Sequence, residues 1–267
     1  MPRSNTSKAA NQTSRVLLVI PTIGRRLDLL RQCLESIKSQ RPSPPDIILV
    51  ADMNNKEIKK IAAEFGAKIV KDPGSLSSAL NVGFAAAQPS HEFGGWMGDD
   101  DLLRPNATAT ALKALDNNPA SVLAFGYCDY IDDNNKVLFK SKAGSLAPRL
   151  ISWGPNLLPL PGVLYRLSAA RKSGPYDEKL KYAMDLDMWL RLRRHGRFIN
   201  THQTLGAFRW HATSTTVANR KSSLDEAKMI KRRYLPKTIR PAAPLWEAPL
   251  QFLTYLAVNR VNSLHDK

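Results

Sequence analysis

The sequence predicts an α/β fold in which a mostly parallel central sheet is flanked by helices. Three observations lead to this prediction. Short apolar runs alternate with segments of helical periodicity over residues 15–101, the apolar runs are continuous, as in strands buried on both faces, and polar residues follow them. Parallel strands joined through helices bring their carboxyl ends to one edge of the sheet, where ligands bind.

The first two strand and helix pairs are read directly from these patterns. The run "RVLLVIP", residues 15–21, predicts a strand that ends at proline. A helix follows and is broken by "RPSPP". The residues that recur in this helix at helical spacing are Leu27, Leu30, Leu34 and Ile37. "DIILVAD" predicts a second strand ending at Asp52, and "NKEIKKIAAEFGA" predicts a helix closed by Gly66.

The next segments extend the same alternation to an acidic cluster. "KIVKD" predicts a third strand, "SLSSALNVGFAAAQ" a third helix, and "FGGWMGD" a fourth strand that runs into Asp99, Asp100 and Asp101. These aspartates, residues 21–25 and Asp52 therefore converge on one crevice at the carboxyl edge of the sheet.

The second half of the chain has a different pattern. "VLAFGYCDYIDDNNKVLFK" predicts two strands joined by a turn, and residues 141–167 are irregular and rich in proline. "SAARKSGPYDEKL" predicts a short helix with a glycine stop, and residues 185–196 predict a helix that ends at Gly196. "FINTHQTLGAFRWH" follows as strand.

Length and composition limit where these elements belong. At 267 residues and 43% hydrophobic, the chain can bury the core of one large domain with a tail. Residues 1–14 are polar and basic, which predicts a disordered leader rather than a signal peptide. No run approaches the roughly 20 apolar residues of a membrane-spanning helix. Cys33 and Cys128 lack metal-site spacing and predict buried reduced thiols and a cytoplasmic location.

The formal net charge of +16 calls for an anionic partner. Nucleic acid, an anionic membrane surface and a phosphorylated substrate all meet this requirement. Basic residues are concentrated in residues 219–241, where a solvated helix face explains them equally well. The adjacent carboxylates of Asp99, Asp100 and Asp101 repel one another, so they need either open water or a cation.

The ordered blocks "VIPTIGR", "ILVAD", "SLSSALNVGFAAA", "GDDD", "YAMDLDMWLRL" and "FRWHATSTT" resemble the family 2 glycosyltransferases of the GT-A nucleotide-sugar-binding fold. The bacterial surface-polysaccharide enzymes of that family are the nearest in character. The resemblance covers residues 15–220, and residues 221–267 form a basic, amphipathic and helical extension outside it.

The resemblance implies a metal site. Asp99 and Asp101 match a D-x-D pattern that holds Mn²⁺ or Mg²⁺ against the donor diphosphate, with Asp100 beside the donor. His211 matches a histidine that is a further metal or diphosphate contact, although a hydrogen-bonded surface histidine fits it as well. The alternative for the aspartates is a polar turn that caps a helix beginning near Pro105.

The resemblance also assigns residues to the donor nucleotide. Pro21, Thr22 and Arg25 match its first-strand loop, and Asp52 matches the aspartate that contacts the base, although "VADMNN" departs from the usual run. Further residues predicted near the donor or the sugar are Asn81, Arg209 and Trp153.

Two acids compete for the role of catalytic base. Asp185 stands at the start of its helix, where N-capping is the alternative role, and it occupies the place of an acidic pair in the family. Asp187 lies four residues before Arg191, which predicts an intrahelical ion pair. Asp185 is therefore the predicted base.

Taken together, the resemblance implies a metal-dependent, inverting transfer of a sugar from a TDP- or UDP-sugar to a hydroxyl of a glycan or lipid-linked acceptor. The alternatives are a nucleic-acid-binding or nuclease module, which the placement of the basic residues disfavours, and an inactive protein of the same fold. Residues 243–261 have the composition of an interfacial helix on anionic membrane, and packing on the domain or in a homo-oligomer explains them equally.

Overall fold

A computed structural model describes residues 14–154, 156–210, 219–247 and 249, and it confirms the α/β sheet. The first half of the chain supplies four parallel strands in the order β3-β2-β1-β4. The strands and the helices between them are β1 (Val16–Pro21), α1 (Leu27–Lys38), β2 (Asp46–Ala51), α2 (Lys56–Phe65), β3 (Lys68–Lys71), α3 (Leu76–Ala85) and β4 (Phe93–Trp96).

The continuous apolar run of β1 is explained by helices on both faces of the sheet. Leu17 and Val19 point into a core that also contains Trp189, whereas Leu18 and Ile20 point into a second core on the opposite face. Both faces of β1 are therefore dry, as expected for a central parallel strand.

The first two helices follow from their sequence signals. α1 buries the predicted stripe, and its buried residues are Leu30, Cys33, Leu34 and Ile37. α2 begins where Asn55 Oδ1 accepts the backbone N–H groups of Glu57 and Ile58, and it ends at Gly66, whose φ of 60° is left-handed. Cys33 and Cys128 are free and buried, which confirms the prediction of reduced thiols.

The second half continues the same sheet, which has nine strands in all within the described residues. Its order continues as β8-β6-β9-β5, with β7 paired to β6. The elements are β5 (Leu102–Leu103), α4 (Ala107–Asp116), β6 (Ser121–Ile131), β7 (Val137–Ser141), α5 (Ala147–Leu150), β8 (Leu164–Arg166), α6 (Leu167–Ser173), α7 (Met184–Leu192) and β9 (Arg197–Arg209). The predicted β6–β7 hairpin is confirmed, whereas β5 and β8 were not predicted.

α8 (Arg220–Tyr234) follows β9, and after it come a 3-10 turn at Arg240–Ala242 and helical residues at 244–247. α8 packs on the domain, since Ile230 is fully buried in the core that contains Trp189. The predicted domain boundaries stay a prediction, and the leader up to residue 13 lies outside the described residues.

The predicted interfacial segment, residues 243–261, is described only over its first residues. There Trp246 contacts Trp153, with ring centroids 5.6 Å apart. Within the described part of the chain, no helix is long and apolar enough to cross a membrane.

Candidate active site

A cavity of about 640 Å³ opens at the carboxyl edge of the sheet. Its walls come from the ends of β1 and β4, from residues 156–161 and from the start of α7. The structure brings Thr22 and Asp99 together there, because the Thr22 hydroxyl donates a hydrogen bond to Asp99 Oδ2. Pro21 and Arg25 line the same cavity. The predicted crevice is therefore present, with the acidic cluster in its wall.

The three aspartates lie in a turn and not at the end of an extended strand. β4 ends at Trp96, and the Asp101 N–H donates to the Gly98 carbonyl at 3.3 Å. Strand alternation therefore does not set the directions of these carboxylates, since alternation requires extended backbone. At Gly98 a Cβ would lie 2.7 Å from Asp100 Oδ1, so glycine lets the backbone pass close to the carboxylates.

Each aspartate has a different partner. Asp100 forms an ion pair of 2.5 Å with Arg26. Asp101 is 2% exposed, and its carboxylate accepts the backbone N–H groups of Arg209 at 3.0 Å and Gly98 at 3.3 Å. Asp99 accepts the Thr22 hydroxyl through Oδ2, and its second oxygen, Oδ1, lies beside that atom. These contacts hold the three carboxylates in fixed positions at the cavity wall.

The electrostatics of the cluster favour a cation. Burial, and then the charge of Asp100, raise the pKa of Asp101 well above its usual range. Burial also raises the pKa of Asp99, against the hydrogen bond from Thr22. A desolvated group of like charges is costly to keep ionised, and a divalent cation offsets that cost.

The donor set therefore fits a hard divalent cation that shares its coordination with a substrate. Among residues 14–154, 156–210 and 219–247, no group of three His, Cys, Asp or Glu side chains is arranged to hold a metal by itself. Mg²⁺ in phosphate-binding sites is commonly held by one or two carboxylates and completed by substrate phosphates. Asp99 and Asp101 fit this arrangement, whereas His211 lies outside the described residues.

Asp185 faces the same cavity from the first turn of α7. Its Oδ1 accepts the Leu186 N–H at 2.7 Å, and its Oδ2 accepts the Asn156 side-chain amide at 3.3 Å. Burial raises the pKa of Asp185 to about 6. The N-cap of α7 is Ala183, so the capping role considered for Asp185 is wrong. Asp185 is left as a carboxylate with a raised proton affinity in a cavity wall.

Asp187 has the role that its spacing predicts. It is 2% exposed and forms an ion pair of 2.8 Å with Arg191, and the Tyr234 hydroxyl donates to it at 2.8 Å. Arg191 in turn donates to the backbone carbonyls of residues 173–175. This buried network ties α7 to α8, and Asp187 does not line the cavity.

Glu226 holds the start of α7 and was missed by the sequence analysis. Its carboxylate accepts the N–H groups of Tyr182 at 2.8 Å, Ala183 at 2.7 Å and Lys181 at 2.9 Å. An acid at the N-terminus of a helix binds free N–H groups and the positive end of the helix dipole. No local pattern signals this contact, because Glu226 follows its partners by more than 40 residues.

The remaining predicted residues divide between the cavity and other contacts. Arg209 lines the cavity but is 1% exposed, and its guanidinium donates to the Asp100 and Asp132 carbonyls. Asn81 lies outside the cavity, and its side chain bonds the Tyr176 backbone at 2.8 Å and 3.0 Å. Asp52 lies at the same sheet edge, where it accepts the Asn54 N–H, but outside the cavity lining. Trp153 likewise lies outside this cavity.

Comparison with known proteins gives a family and a fold. The model of glycosyl transferase family 2 matches residues 17–170. An uncharacterized glycosyltransferase of Rickettsia typhi is 30% identical over 226 residues, which are 77% of this chain and 67% of that protein. The chain thus spans about two thirds of that relative's length.

Two solved structures have a similar fold. TarS residues 1–349 of S. aureus, solved with UDP-GlcNAc, has a TM-score of 0.63 and 14% identity, over 86% of this chain and 70% of that one. The mannosyltransferase PcManGT of Pyrobaculum calidifontis, solved with GDP-Man and Mn²⁺, has a TM-score of 0.62 and 15% identity, over 95% of this chain and 74% of that one. These likenesses support the GT-A fold.

Proposed function

The chain belongs to glycosyl transferase family 2, and from this premise we propose that it is a metal-dependent, inverting enzyme that moves a sugar from a nucleotide-diphosphate donor to a hydroxyl acceptor. One observation carries the proposal: Asp185 and the three aspartates line a single cavity at the carboxyl edge of the sheet. The first is suited to take a proton, and the others would hold a divalent cation that offsets the charge of a diphosphate.

The donor occupies the β1 side of the cavity. Thr22 and Arg25 lie there, next to the turn that carries Asp99. Asp99 and Asp101 would hold a divalent ion, which neutralises the charge that develops on the departing phosphate when it is bound. Arg26 adds a cation on the same side and also fixes Asp100. The chain thus places positively charged side chains, and carboxylates that would hold the divalent ion, where the diphosphate would bind.

Asp185 is the proposed base. A hydroxyl is a poor nucleophile at neutral pH, so a carboxylate that takes its proton as it attacks C1 of the sugar accelerates transfer. The raised pKa of Asp185, about 6, brings its proton affinity closer to neutrality than that of an ordinary aspartate, while it stays ionised at pH 7. Attack from the face opposite the diphosphate inverts the configuration at that carbon.

The donor base is proposed to be uracil or thymine and the acceptor a glycan or a lipid-linked glycan. TarS was solved with UDP-GlcNAc, which supports a uridine nucleotide, whereas PcManGT was solved with GDP-Man. Because "VADMNN" departs from the family pattern at Asp52, the test below includes both uridine and guanosine donors. Membership of a glycosyltransferase family disfavours the nuclease alternative.

Metal removal tests the proposal. UDP-, TDP- and GDP-sugars are incubated with the full chain, and release of the nucleoside diphosphate is measured without and with EDTA, and then after excess Mn²⁺ or Mg²⁺. We expect turnover of one donor that EDTA abolishes and the metal restores. Thermal stabilisation by the nucleotide, measured in parallel, detects donor binding without turnover.

Two outcomes would contradict the proposal. Full turnover in EDTA would remove the metal from the reaction. Metal-dependent stabilisation by a nucleotide without turnover of any sugar donor, with or without glycan acceptors, would favour the inactive binding protein instead.

A further inference from the structure

A second cavity of about 280 Å³ adjoins the first at Asp185. The two cavities share Asn156, Tyr182 and Asp185 in their linings, but the aspartate cluster lines only the first. The far wall of the second cavity is formed by α8, by residues 152–154 and by residues 246–247. The proposed base therefore stands between the donor cavity and a second, smaller space.

Two tryptophans form the aromatic part of this wall. The rings of Trp153 and Trp246 lie 5.6 Å apart between centroids, at an interplanar angle of 47°. Trp153 is 42% exposed, which is costly for a large aromatic side chain unless something packs on it. Aromatic faces of this kind pack well against the C–H face of a sugar ring, and the indole N–H adds a donor for its hydroxyls.

The charge of the wall is contributed by lysines on α8. Glu247 is already neutralised, since Lys228 lies 3.4 Å and Arg232 2.6 Å from its carboxylate. Lys231 lines the cavity but forms no ion pair within 4.0 Å with any described residue. Burial lowers the pKa of Lys231, against the charge of Glu247. A half-buried ammonium that has no ion-pair partner among the described residues is costly, and an anion in the cavity would relieve that cost.

We propose that this second cavity binds the acceptor, and that the acceptor sugar packed on Trp153 and Trp246 carries an anionic group bound by Lys231. The inference rests on the proposed function, because Asp185 must then take a proton from a hydroxyl of that sugar. The volume corresponds to about nine water molecules at roughly 30 Å³ each, which suits one sugar ring and its substituent. The anionic group is a carboxylate or a phosphate.

Binding of small sugars to the full chain tests this inference without knowledge of the natural acceptor. Saturation-transfer NMR, in the presence of UDP and the diamagnetic ion Mg²⁺, compares methyl glucuronide, glucose 6-phosphate and neutral methyl glucoside. The variants are Trp153→Ala, Lys231→Met and Lys231→Arg, with Lys221→Met as the matched control, because Lys221 is exposed on the same helix and outside the cavity lining.

We expect at least one charged sugar to bind more tightly than methyl glucoside. Lys231→Met should weaken the charged sugar about tenfold and leave the neutral one unchanged, since only a charge-assisted hydrogen bond is lost. Lys231→Arg should retain binding, Trp153→Ala should weaken all three sugars, and Lys221→Met should change none. Binding of methyl glucuronide would identify the anionic group of the acceptor as a carboxylate, and binding of glucose 6-phosphate would identify it as a phosphate.

The inference is overturned if no charged sugar binds better than methyl glucoside, or if Lys231→Met and Lys221→Met behave alike. Thermal melting in each variant, with and without UDP and Mn²⁺, separates this result from failure of the proposed function. If UDP stabilises the protein and the sugars do not bind, only the acceptor site is wrong. If neither UDP nor GDP stabilises the wild type in the presence of Mn²⁺, the donor site is wrong.

Discussion

Glu226 is expected to control both the stability of the domain and the pH dependence of its site. Its carboxylate accepts three backbone N–H groups at the start of α7, at 2.7 Å, 2.8 Å and 2.9 Å, and Asp185 lies in the first turn of that helix. The charge of Glu226 also contributes to raising the pKa of Asp185, after burial. Substitution of Glu226 on α8 should therefore change both the stability of the domain and the pKa of Asp185 on α7.

The size of the effect follows from the three hydrogen bonds. A hydrogen bond to a charged group contributes about 1.5 to 3 kcal/mol when it is buried and less where water can replace it. Of the three donors, only Ala183 is buried, so we expect Glu226→Ala to lower the free energy of unfolding by about 2 to 4 kcal/mol. Glu226→Gln keeps the oxygen that binds Tyr182 and Ala183 and should cost about half as much.

The assay combines urea unfolding with a pH profile of turnover. Glu226→Gln removes a negative charge near Asp185, so it should lower the pKa of Asp185 and move the acid limb of turnover to lower pH. Glu226→Ala should also lower kcat, with little change in donor KM. Asp225→Asn is the matched control, since it removes an exposed charge from the same helix. The reasoning is refuted if Glu226→Ala is no less stable than Asp225→Asn and the acid limb stays in place.

Two further predictions concern the protonation of Asp185. At saturating Mn²⁺, turnover should fall as the pH drops through about 6, because the base is then protonated, and this limb should persist in Asp187→Asn. The pKa of the Asp185 carboxyl is raised in the folded protein from 3.8 to about 6, so the wild type loses stability as the pH rises between those values. Asp185→Asn should therefore unfold at the same urea concentration as the wild type at pH 4 but be more stable at pH 8, by about 1 to 3 kcal/mol. Equal stabilities at pH 8 would mean that the carboxyl is not desolvated.

Much of the first half of the fold could be predicted because β1 and β2 are continuous apolar runs and because α1 and α2 combine helical periodicity with a clear end, at a proline-rich break and at Gly66. The apolar run of β1 and the left-handed Gly66 are two examples in which the local pattern is sufficient to predict the structure. β5 has two residues and β8 three, too short for a period to be seen. Both strands are defined by their pairing with distant neighbours, which the sequence does not display.

Site residues could be predicted from the sequence where their function depends on residue type. They could not be predicted where their function depends on contacts between distant segments. The aspartates stood out as a cluster of like charge, and the Asp187–Arg191 pair follows from helical spacing. The capping of α7 by Glu226 comes from tertiary packing, since the two segments are more than 40 residues apart. The same limit applies to Trp153, which the sequence suggested for the sugar but could not place against Trp246.

The most direct test of the account compares turnover and donor affinity in Asp185→Asn and Asp187→Asn. Asp185→Asn should lose on the order of 10² to 10⁴ in turnover and keep its donor affinity, because only the proton acceptor is removed. Asp187→Asn breaks a buried ion pair, so it should lose about 1 to 3 kcal/mol of stability and retain much of its turnover where it is folded. A nearly active Asp185→Asn beside a folded but inactive Asp187→Asn would contradict the assignment of the base.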